Sequence, residues 1–382
     1  MSTLLRLECP ECGHSFDADQ LQTYCEKCVS PLLAIYDLTG GMDRQVPNTR
    51  PTGIWRWSEL LPLRDMKFRI SLGEGDTPLL PVPEIAKKLG LQSVYVKDEG
   101  VNPTGTFKAR GIAVAVSRAW ELGVKDFVIP TAGNAGGALA SYAARGGLEA
   151  HVYMPIRAPE LNKREVIAAG ADLQLVDGYI DAAGSEAHDR GQKEGWFNIA
   201  TFKEPYRVEG KKTMGFELAE AFGWELPDVI VYPTGGGTGL VGMWKAFKEM
   251  VELGWIEEPL PRMVSVQSLG CAPVVRAFER GDDRIESWSN PSTYASGLEV
   301  PTVFADRLIL SVIRESDGSA LAVDDEDIRK AQCEFASVEG IFTCPEGAAT
   351  LAGAKAIVRE SLISKEERVV LFNTGTGLKY LQ

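Results

Sequence analysis

Histidine is what this chain has least of: three in 382 residues, His14, His151 and His188. So thin a supply gives little support to Ser-His-Asp chemistry or to histidine-rich metal catalysis. Long apolar runs are also missing, and nothing approaches the ~18 consecutive apolar residues of a membrane-spanning helix. The N-terminus has no basic segment followed by an apolar run, so no secretory leader is read there, and a cytoplasmic protein is expected. Positive charge is in deficit, with 40 Lys and Arg against 53 Asp and Glu. No basic face or arginine-rich tail offsets that deficit, which argues against a non-specific grip on nucleic acid. Internal repeats and low-complexity tracts are absent. What is present is an ordinary globular composition, 45% hydrophobic and 24% charged, in a chain long enough for two or three domains.

Cysteine is scarce except at one place. Cys9-Pro10-Glu11-Cys12 and Cys25-Glu26-Lys27-Cys28 form two CxxC pairs separated by twelve residues. Each pair can form a knuckle whose thiolates converge on one tetrahedral ion, and the separation lets a hairpin bring the knuckles together. Two disulfides or four free thiols are the alternative, disfavoured by a reducing compartment. His14 could compete as a ligand, but four cysteines already complete the shell. The expectation is a structural zinc ribbon over residues 1–36, a closed site with no open position for a substrate. Glu8, Glu11, Asp17, Asp19 and Glu26 make it acidic, which disfavours nucleic acid as its partner. Cys271, Cys333 and Cys344 read as small buried hydrophobes. Residues 37–66 lose periodicity among Gly40, Gly41, Pro47, Pro51 and Pro62, and Trp55 and Trp57 look like anchors. That stretch reads as a packed linker.

From Ser71 onward strands and helices alternate, which predicts an α/β architecture with largely parallel sheets. Strands are expected at 93–98, 126–130, 149–154, 172–176, 228–232, 263–267 and 369–372. Helices are expected at 136–145, 162–169, 182–194, 211–222, 241–252, 325–338 and 348–360.

The organising stretch is Pro103-Thr104-Gly105-Thr106-Phe107-Lys108-Ala109-Arg110-Gly111. It follows a strand, and after it Ile112, Val116, Ala119 and Trp120 recur at helical spacing. Lys108 therefore falls in the first turn of a helix, near its positive end, where cations are disfavoured. A solvated lysine is the bland explanation; two more glycine-rich turns weaken it. Thr131-Ala132-Gly133-Asn134-Ala135-Gly136-Gly137 joins a strand to a helix, and Asn134 is its only side chain with both donors and an acceptor. Taken alone it is a tight turn with Asn134 as cap. Thr234-Gly235-Gly236-Gly237-Thr238-Gly239 exposes successive amides between a strand and a helix, enough to cradle a phosphate. Gly237, Gly239 and Gly242 also fit G-x-G-x-x-G, but the following strand ends in Gln267 and Ser268 without a ribose-binding carboxylate, so a nicotinamide site is disfavoured. Asn373-Thr374-Gly375-Thr376-Gly377-Leu378 puts Thr374 at a carboxyl strand end, where open α/β sheets bind ligands. Together these turns suggest a cofactor bearing a phosphate.

This motif set resembles the fold type II pyridoxal-phosphate enzymes of the tryptophan synthase β-like superfamily, and within them most of all the threonine synthases. Gly73-Glu74-Gly75-Asp76-Thr77-Pro78-Leu79, Pro205 to Thr213, and Pro345-Glu346-Gly347-Ala348-Ala349 extend the likeness, which runs from about Ser71 to the end. The resemblance implies two interleaved open α/β domains: a small one over about 105–207, inserted in a large one of 67–104 plus 208–382. It implies that Lys108 carries the cofactor covalently and shuttles protons, that Asn134 bonds its ring oxygen and that Phe107 lies beside it. Gly235, Gly236, Gly237, Thr238 and Gly239 would bind its phosphate, and Thr374 would face its pyridine nitrogen. Thr131, Gly133, Asn134, Ala135 and Arg207 would meet the substrate. A homodimer acting on a small amino-acid substrate, with neither nucleic acid nor membrane as partner, is implied as well.

Departures from the family pattern concern the substrate. Ala132 and Ala135 stand where hydroxyl residues are usual, Phe202 and Glu204 where small or amide residues are usual. A carboxylate at Glu204 would repel a phosphate if it pointed inward. The leading expectation is formation of L-threonine and phosphate from O-phosphohomoserine and water. A threonine or serine dehydratase, or another β-replacement enzyme, is the alternative on the same scaffold. A non-catalytic regulator is the rival of another class, and retention of Lys108, Asn134 and Thr374 speaks against it.

Overall fold

The computed structural model describes residues 1–381. Two compact units divide the chain: the first takes Met1–Asp76, Lys108–Gly215 and Lys248–Trp255, and the second takes Thr77–Phe107, Phe216–Phe247 and the chain from Ile256 on. Among the described residues no helix is long and apolar enough to cross a membrane.

The second unit is built on a six-stranded sheet. In spatial order its strands are Ser319–Val323, Arg262–Ser268, Val229–Pro233, Arg368–Asn373, Ser93–Asp98 and Leu79–Pro81. Five run parallel; only the edge strand Leu79–Pro81 is antiparallel. Parallel interior strands are covered on both faces and so run largely apolar, and all five residues of Val229–Pro233 are buried. Val264, Val231, Leu371 and Val96 lie in register as one row across four strands. Each is buried in a common core, where such a side chain contributes about 1.5–3 kcal/mol. The helix Pro345–Arg359 packs over this sheet with Ala348, Ala349 and Ala352, whose small side chains permit close approach.

The order of the strands has a consequence for chemistry. Val229–Pro233, Arg368–Asn373 and Ser93–Asp98 are immediate neighbours, although the middle one comes last in the chain. Their carboxyl ends therefore open three adjacent turns at one sheet edge, where open α/β sheets bind ligands.

The first unit holds a four-stranded parallel sheet ordered Asp172–Val176, Glu149–Pro155, Asp126–Pro130 and Phe197–Asn198. Its N-terminal module is antiparallel: Ser15–Phe16, Leu4–Glu8 and Leu33–Tyr36 form one sheet, Tyr24–Cys25 and Ser30–Pro31 another. The following segment packs through its tryptophans. Trp57 is fully buried 6.1 Å from the Trp255 ring, and Trp55 donates to Glu74 Oε1 at 2.8 Å.

Several elements differ from the periodicity reading. The helices expected at 211–222, 241–252 and 348–360 begin earlier, at Arg207, Thr238 and Pro345. Glycine lowers helix propensity in each first turn, and capping overrides it; Cys344 Sγ accepts from the Gly347 amide at 3.2 Å and Pro345 supplies a preset first turn. The pattern expected over 325–338 is an α-helix Asp325–Glu334 continued by a π-turn Phe335–Glu339. Helices Pro273–Arg280 and Asp306–Glu315 and the strand Ser319–Val323 were not expected. Cys333 corrects the cysteine reading: it is exposed, on a helix that buries Ile328 and Ala331 instead.

Candidate active site

In the second unit the turn before Lys108 and the terminal turn form one structure. The Phe107 amide donates to the Thr374 carbonyl at 3.0 Å, and the Thr376 amide donates to the Gly105 carbonyl at 2.9 Å. Lys379 Nζ donates to the Thr104 carbonyl at 3.1 Å. Asn373 Nδ2 donates to Asp98 Oδ1 at 2.7 Å, locking the ends of two adjacent strands. Thr374 is buried with its Oγ1 3.5 Å from Cys344 Sγ. Burial among acidic neighbours pushes the Cys344 thiol up, so it stays neutral beside that hydroxyl.

The Gly235–Gly239 turn lies between the buried strand Val229–Pro233 and the helix Thr238–Glu252. A Cβ on Gly235 would stand 2.3 Å from the Gly297 carbonyl oxygen, and one on Gly239 1.8 Å from Tyr232 Oη. Gly237 has φ +79° and would meet Ile309 at 2.2 Å. Only glycine fits these positions, and the first amides of a helix have no intrahelical acceptor. Packing thus requires glycine here, and the helix-start amides beside these glycines are of the kind that receive an anion. Gln267, where a ribose-binding carboxylate would have stood, is engaged in the fold: Nε2 donates to the Thr234 carbonyl at 2.9 Å, and Oε1 accepts from Val274 at 2.8 Å.

The remaining expected site residues belong to the first unit. Lys108 is the first residue of the helix Lys108–Glu121 and is half-buried. Asn134 begins the helix Asn134–Gly146; it is not the cap, a place taken by Gly133 at φ 146°. Thr131 Oγ1 accepts from the Gly133 amide at 3.0 Å, and a Cβ on Gly133 would meet Asn162 Nδ2 at 2.1 Å, so the turn is held from both sides. Ala135 is buried one residue into that helix.

Arg207 begins the helix Arg207–Ala221 and is 2% exposed. Its Nη1 donates to the Ile199 carbonyl at 2.9 Å, while its buried Nε has no hydrogen-bond partner. The two helices bearing Lys108 and Arg207 touch backbone to backbone: a Cβ on Gly210 would lie 2.1 Å from the Arg110 carbonyl, one on Gly111 2.6 Å from the Arg207 carbonyl. Arg110, itself buried, donates to Thr213 Oγ1 at 2.9 Å across the same contact. Glu204 turns its carboxylate onto its own helix, accepting from the amides of Tyr206 at 2.7 Å and Arg207 at 3.0 Å. Burial pushes its pKa up to about 7 despite Arg207 and those two amides.

The thiols of Cys9, Cys12, Cys25 and Cys28 lie within 4.8 Å of one another, with 3.9 Å between Cys12 and Cys25. Tetrahedral bonds of ~2.3 Å to one zinc ion set sulfurs about 3.8 Å apart, so the cluster fits that ion.

The anion cradle, the hydroxyl at a carboxyl strand end and the lysine at a helix start define a phosphate-bearing cofactor enzyme of the α/β class. The chain belongs to the pyridoxal-phosphate dependent enzyme family, whose model matches residues 70–375. Within that family it is similar to threonine synthases: 37% identical to that of Methanocaldococcus jannaschii over 97% of this chain and 92% of the relative. The threonine synthase of Methanosarcina acetivorans is 35% identical over 98% of this chain and 92% of its own length. Among solved structures, maize serine racemase superposes with a TM-score of 0.69 at 23% identity, covering 79% of this chain and 88% of that one. The processed threonine deaminase isoform 2 of Solanum lycopersicum gives 0.67 at 24%, covering 78% and 79%. These likenesses establish the fold type II architecture, and the cradle of Gly235, Gly237 and Gly239 fits the cofactor's phosphate.

Two features escaped the sequence reading. Cys344 is buried, as its type predicts, but nothing local ties it to Thr374, in a turn far along the chain. Glu204 was flagged by its charge, but only backbone geometry shows that it caps its own helix; an acidic residue three positions before a helix start was the available signal.

Proposed function

We propose that this enzyme is a threonine synthase, converting O-phosphohomoserine and water to L-threonine and phosphate. The observation that carries the proposal is the near full-length similarity to threonine synthases in a chain that buries an arginine, Arg207, with a spare guanidinium donor. A guanidinium stays charged at any working pH and matches a phosphate through paired donors.

Bound pyridoxal phosphate supplies the electron sink for carbanion chemistry. Gly235, Gly236, Gly237, Thr238 and Gly239 would hold its phosphate through backbone amides, and the Thr374 hydroxyl would meet its pyridine nitrogen. A hydroxyl there, next to a neutral Cys344 thiol, offers no full charge to the ring. The Asn134 amide would donate to the ring oxygen, and Phe107 would flank the ring. Lys108 would carry the cofactor and move protons at the substrate carbons; its amine is the one nucleophile the motif places at that turn. Arg207 would orient the substrate phosphate, with Thr131, Gly133, Asn134 and Ala135 forming the neighbouring turn. Glu204, committed to the amides of its helix, leaves the guanidinium available.

A dehydratase acting on threonine or serine is the second reading, favoured by the absence of hydroxyls at Ala132 and Ala135. One product assay separates them. The purified enzyme is expected to release phosphate and form threonine from O-phosphohomoserine, with Arg207→Ala severely impaired. Formation of 2-oxobutyrate or pyruvate from threonine or serine, without turnover of O-phosphohomoserine, would replace the synthase reading by the dehydratase. We further propose that residues 1–36 are a zinc ribbon with a structural Zn2+ on Cys9, Cys12, Cys25 and Cys28, and that 67–382 carry the chemistry. A cytoplasmic homodimer is the proposed working form, supported by the family resemblance.

A further inference from the structure

The N-terminal module makes contacts that a separate stabilising appendage would not need. The Ala18 carbonyl, in the loop between its two cysteine pairs, accepts from Arg118 Nη2 at 2.6 Å and from Tyr206 Oη at 3.3 Å. Asp19 Oδ1 accepts from the same Arg118 nitrogen at 2.7 Å and from Arg64 Nε at 2.5 Å. The Arg118 guanidinium lies 6.0 Å from the Tyr206 ring centroid, and Lys203 Nζ lies 4.6 Å from that of Tyr24, the residue before Cys25. Lys212 Nζ stands 3.8 Å from the ring centroid of Tyr36, at the end of the module's last strand.

These contacts converge on two elements. Arg118 is on the helix that begins at Lys108, and it is 1% exposed. Lys203, Tyr206 and Lys212 flank or belong to the start of the helix that begins at Arg207. Tyr206 is fully buried and donates its amide to Glu204, so its position sets that of the Glu204–Arg207 turn. If the loop moved away, Arg118 would keep Glu121 but lose the Ala18 carbonyl and the Asp19 carboxylate, and Tyr206 would lose the Ala18 carbonyl as acceptor. A buried charge that loses two of its partners is unfavourable, so the helices would shift to relieve it. A metal ion held by both cysteine pairs would order the loop between them.

We propose that the four-cysteine module is a metal-dependent brace for the anion-binding turn, acting through Ala18, Asp19, Arg118 and Tyr206 as positioning residues. The proposal rests on the reading of Arg207 as the contact for a phosphate group. It predicts that metal occupancy governs affinity for a phosphate anion while leaving the cofactor in place.

The test uses the full-length enzyme with its cofactor, before and after metal removal by chelation, and the variant Tyr206→Phe with metal retained. Amide exchange is read over 203–215, inorganic phosphate affinity by calorimetry, and cofactor content by absorbance. Metal removal is expected to accelerate exchange in 203–215 and weaken phosphate binding, with cofactor content unchanged. Tyr206→Phe is expected to weaken phosphate binding about two- to tenfold, the range of one net hydrogen bond. It should raise KM with kcat unaltered, a split that general destabilisation would not produce. If metal removal deprotects 4–36 and leaves 203–215 as before, the brace is overturned. If metal removal unfolds the whole chain, Tyr206→Phe decides, and unchanged exchange and phosphate affinity in it overturn the brace. If exchange responds but Arg207→Ala binds phosphate like the parent, the brace stands and the assigned role of Arg207 fails.

Discussion

Replacing Glu204 by glutamine separates two effects that the native carboxylate combines. The group is 1% exposed and caps the helix Arg207–Ala221 through two amides. Burial raises its pKa from 4.5 to about 7, Glu209 adding to the rise and Arg207 and the amides opposing it. That difference corresponds to about 3 kcal/mol. A group whose folded value lies above its unfolded one contributes stability that is complete below the unfolded value and is lost as pH climbs through the folded one. Native stability should therefore decline between pH 4.5 and about 7 on account of this group. Glutamine does not titrate, and it offers the helix one carbonyl acceptor, as the protonated carboxyl does. Glu204→Gln should thus match the parent within about 1 kcal/mol at pH 5, where both groups are neutral, and be more stable at pH 8 by about 3 kcal/mol. Denaturant unfolding at both values reads the divergence. The same substitution tests the anion site. A carboxylate on the turn that carries Arg207 opposes a phosphate only while ionised, so the variant should bind inorganic phosphate about tenfold more tightly at pH 8 and almost equally at pH 6. A variant that is less stable at both pH values, with the same phosphate affinity ratio at both, would refute the reasoning and make Glu204 an ordinary capping carboxylate.

Other outcomes follow from the same geometry. Lys108→Ala should lose the visible-violet absorption of the bound cofactor with the fold intact by circular dichroism, because only an amine forms that exchangeable bond; an unchanged band would remove Lys108 from the chemistry. Gly235→Ala should abolish cofactor retention, since its Cβ would stand 2.3 Å from a backbone carbonyl that cannot turn aside; cofactor content equal to the parent would show that the cradle lies elsewhere. Metal analysis should find about one zinc ion per chain, lost in Cys12→Ser; full zinc in that variant would place the ion elsewhere. Glu217→Ala should destabilise by about 3–5 kcal/mol, because it leaves Lys97, buried 2.7 Å from that carboxylate, without its counter-charge; a loss below about 1 kcal/mol in denaturant unfolding would mean that water reaches Lys97.

How much of this was legible in the sequence depends on the range of the interaction. The strands 228–232 and 369–372 could be read from their apolar runs and 93–98 from its alternation, and each runs into a turn of glycine and threonine. Their adjacency could not. It arises from the last strand entering between two earlier ones, a pairing that no local pattern records. The cradle glycines announce themselves, since few other uses explain three glycines at a strand end. The lysine turn was legible as a strand-to-helix junction, but not its stitching to Thr374 and Thr376, which uses backbone amides and carbonyls alone. The four cysteines show the same division. Their spacing predicts a cluster, and the thiols do lie together. The module meets the rest of the first unit through, among other groups, the carbonyl of Ala18. Every residue carries a carbonyl, so composition holds no trace of which one a buried arginine will choose. Arg118 likewise reads as an ordinary helix-face cation, and only packing reveals that it is 1% exposed. The candidate site residues stand out in the sequence because glycine-rich turns mark their local settings. The groups that position them are common types, distinguished only by what the fold brings beside them.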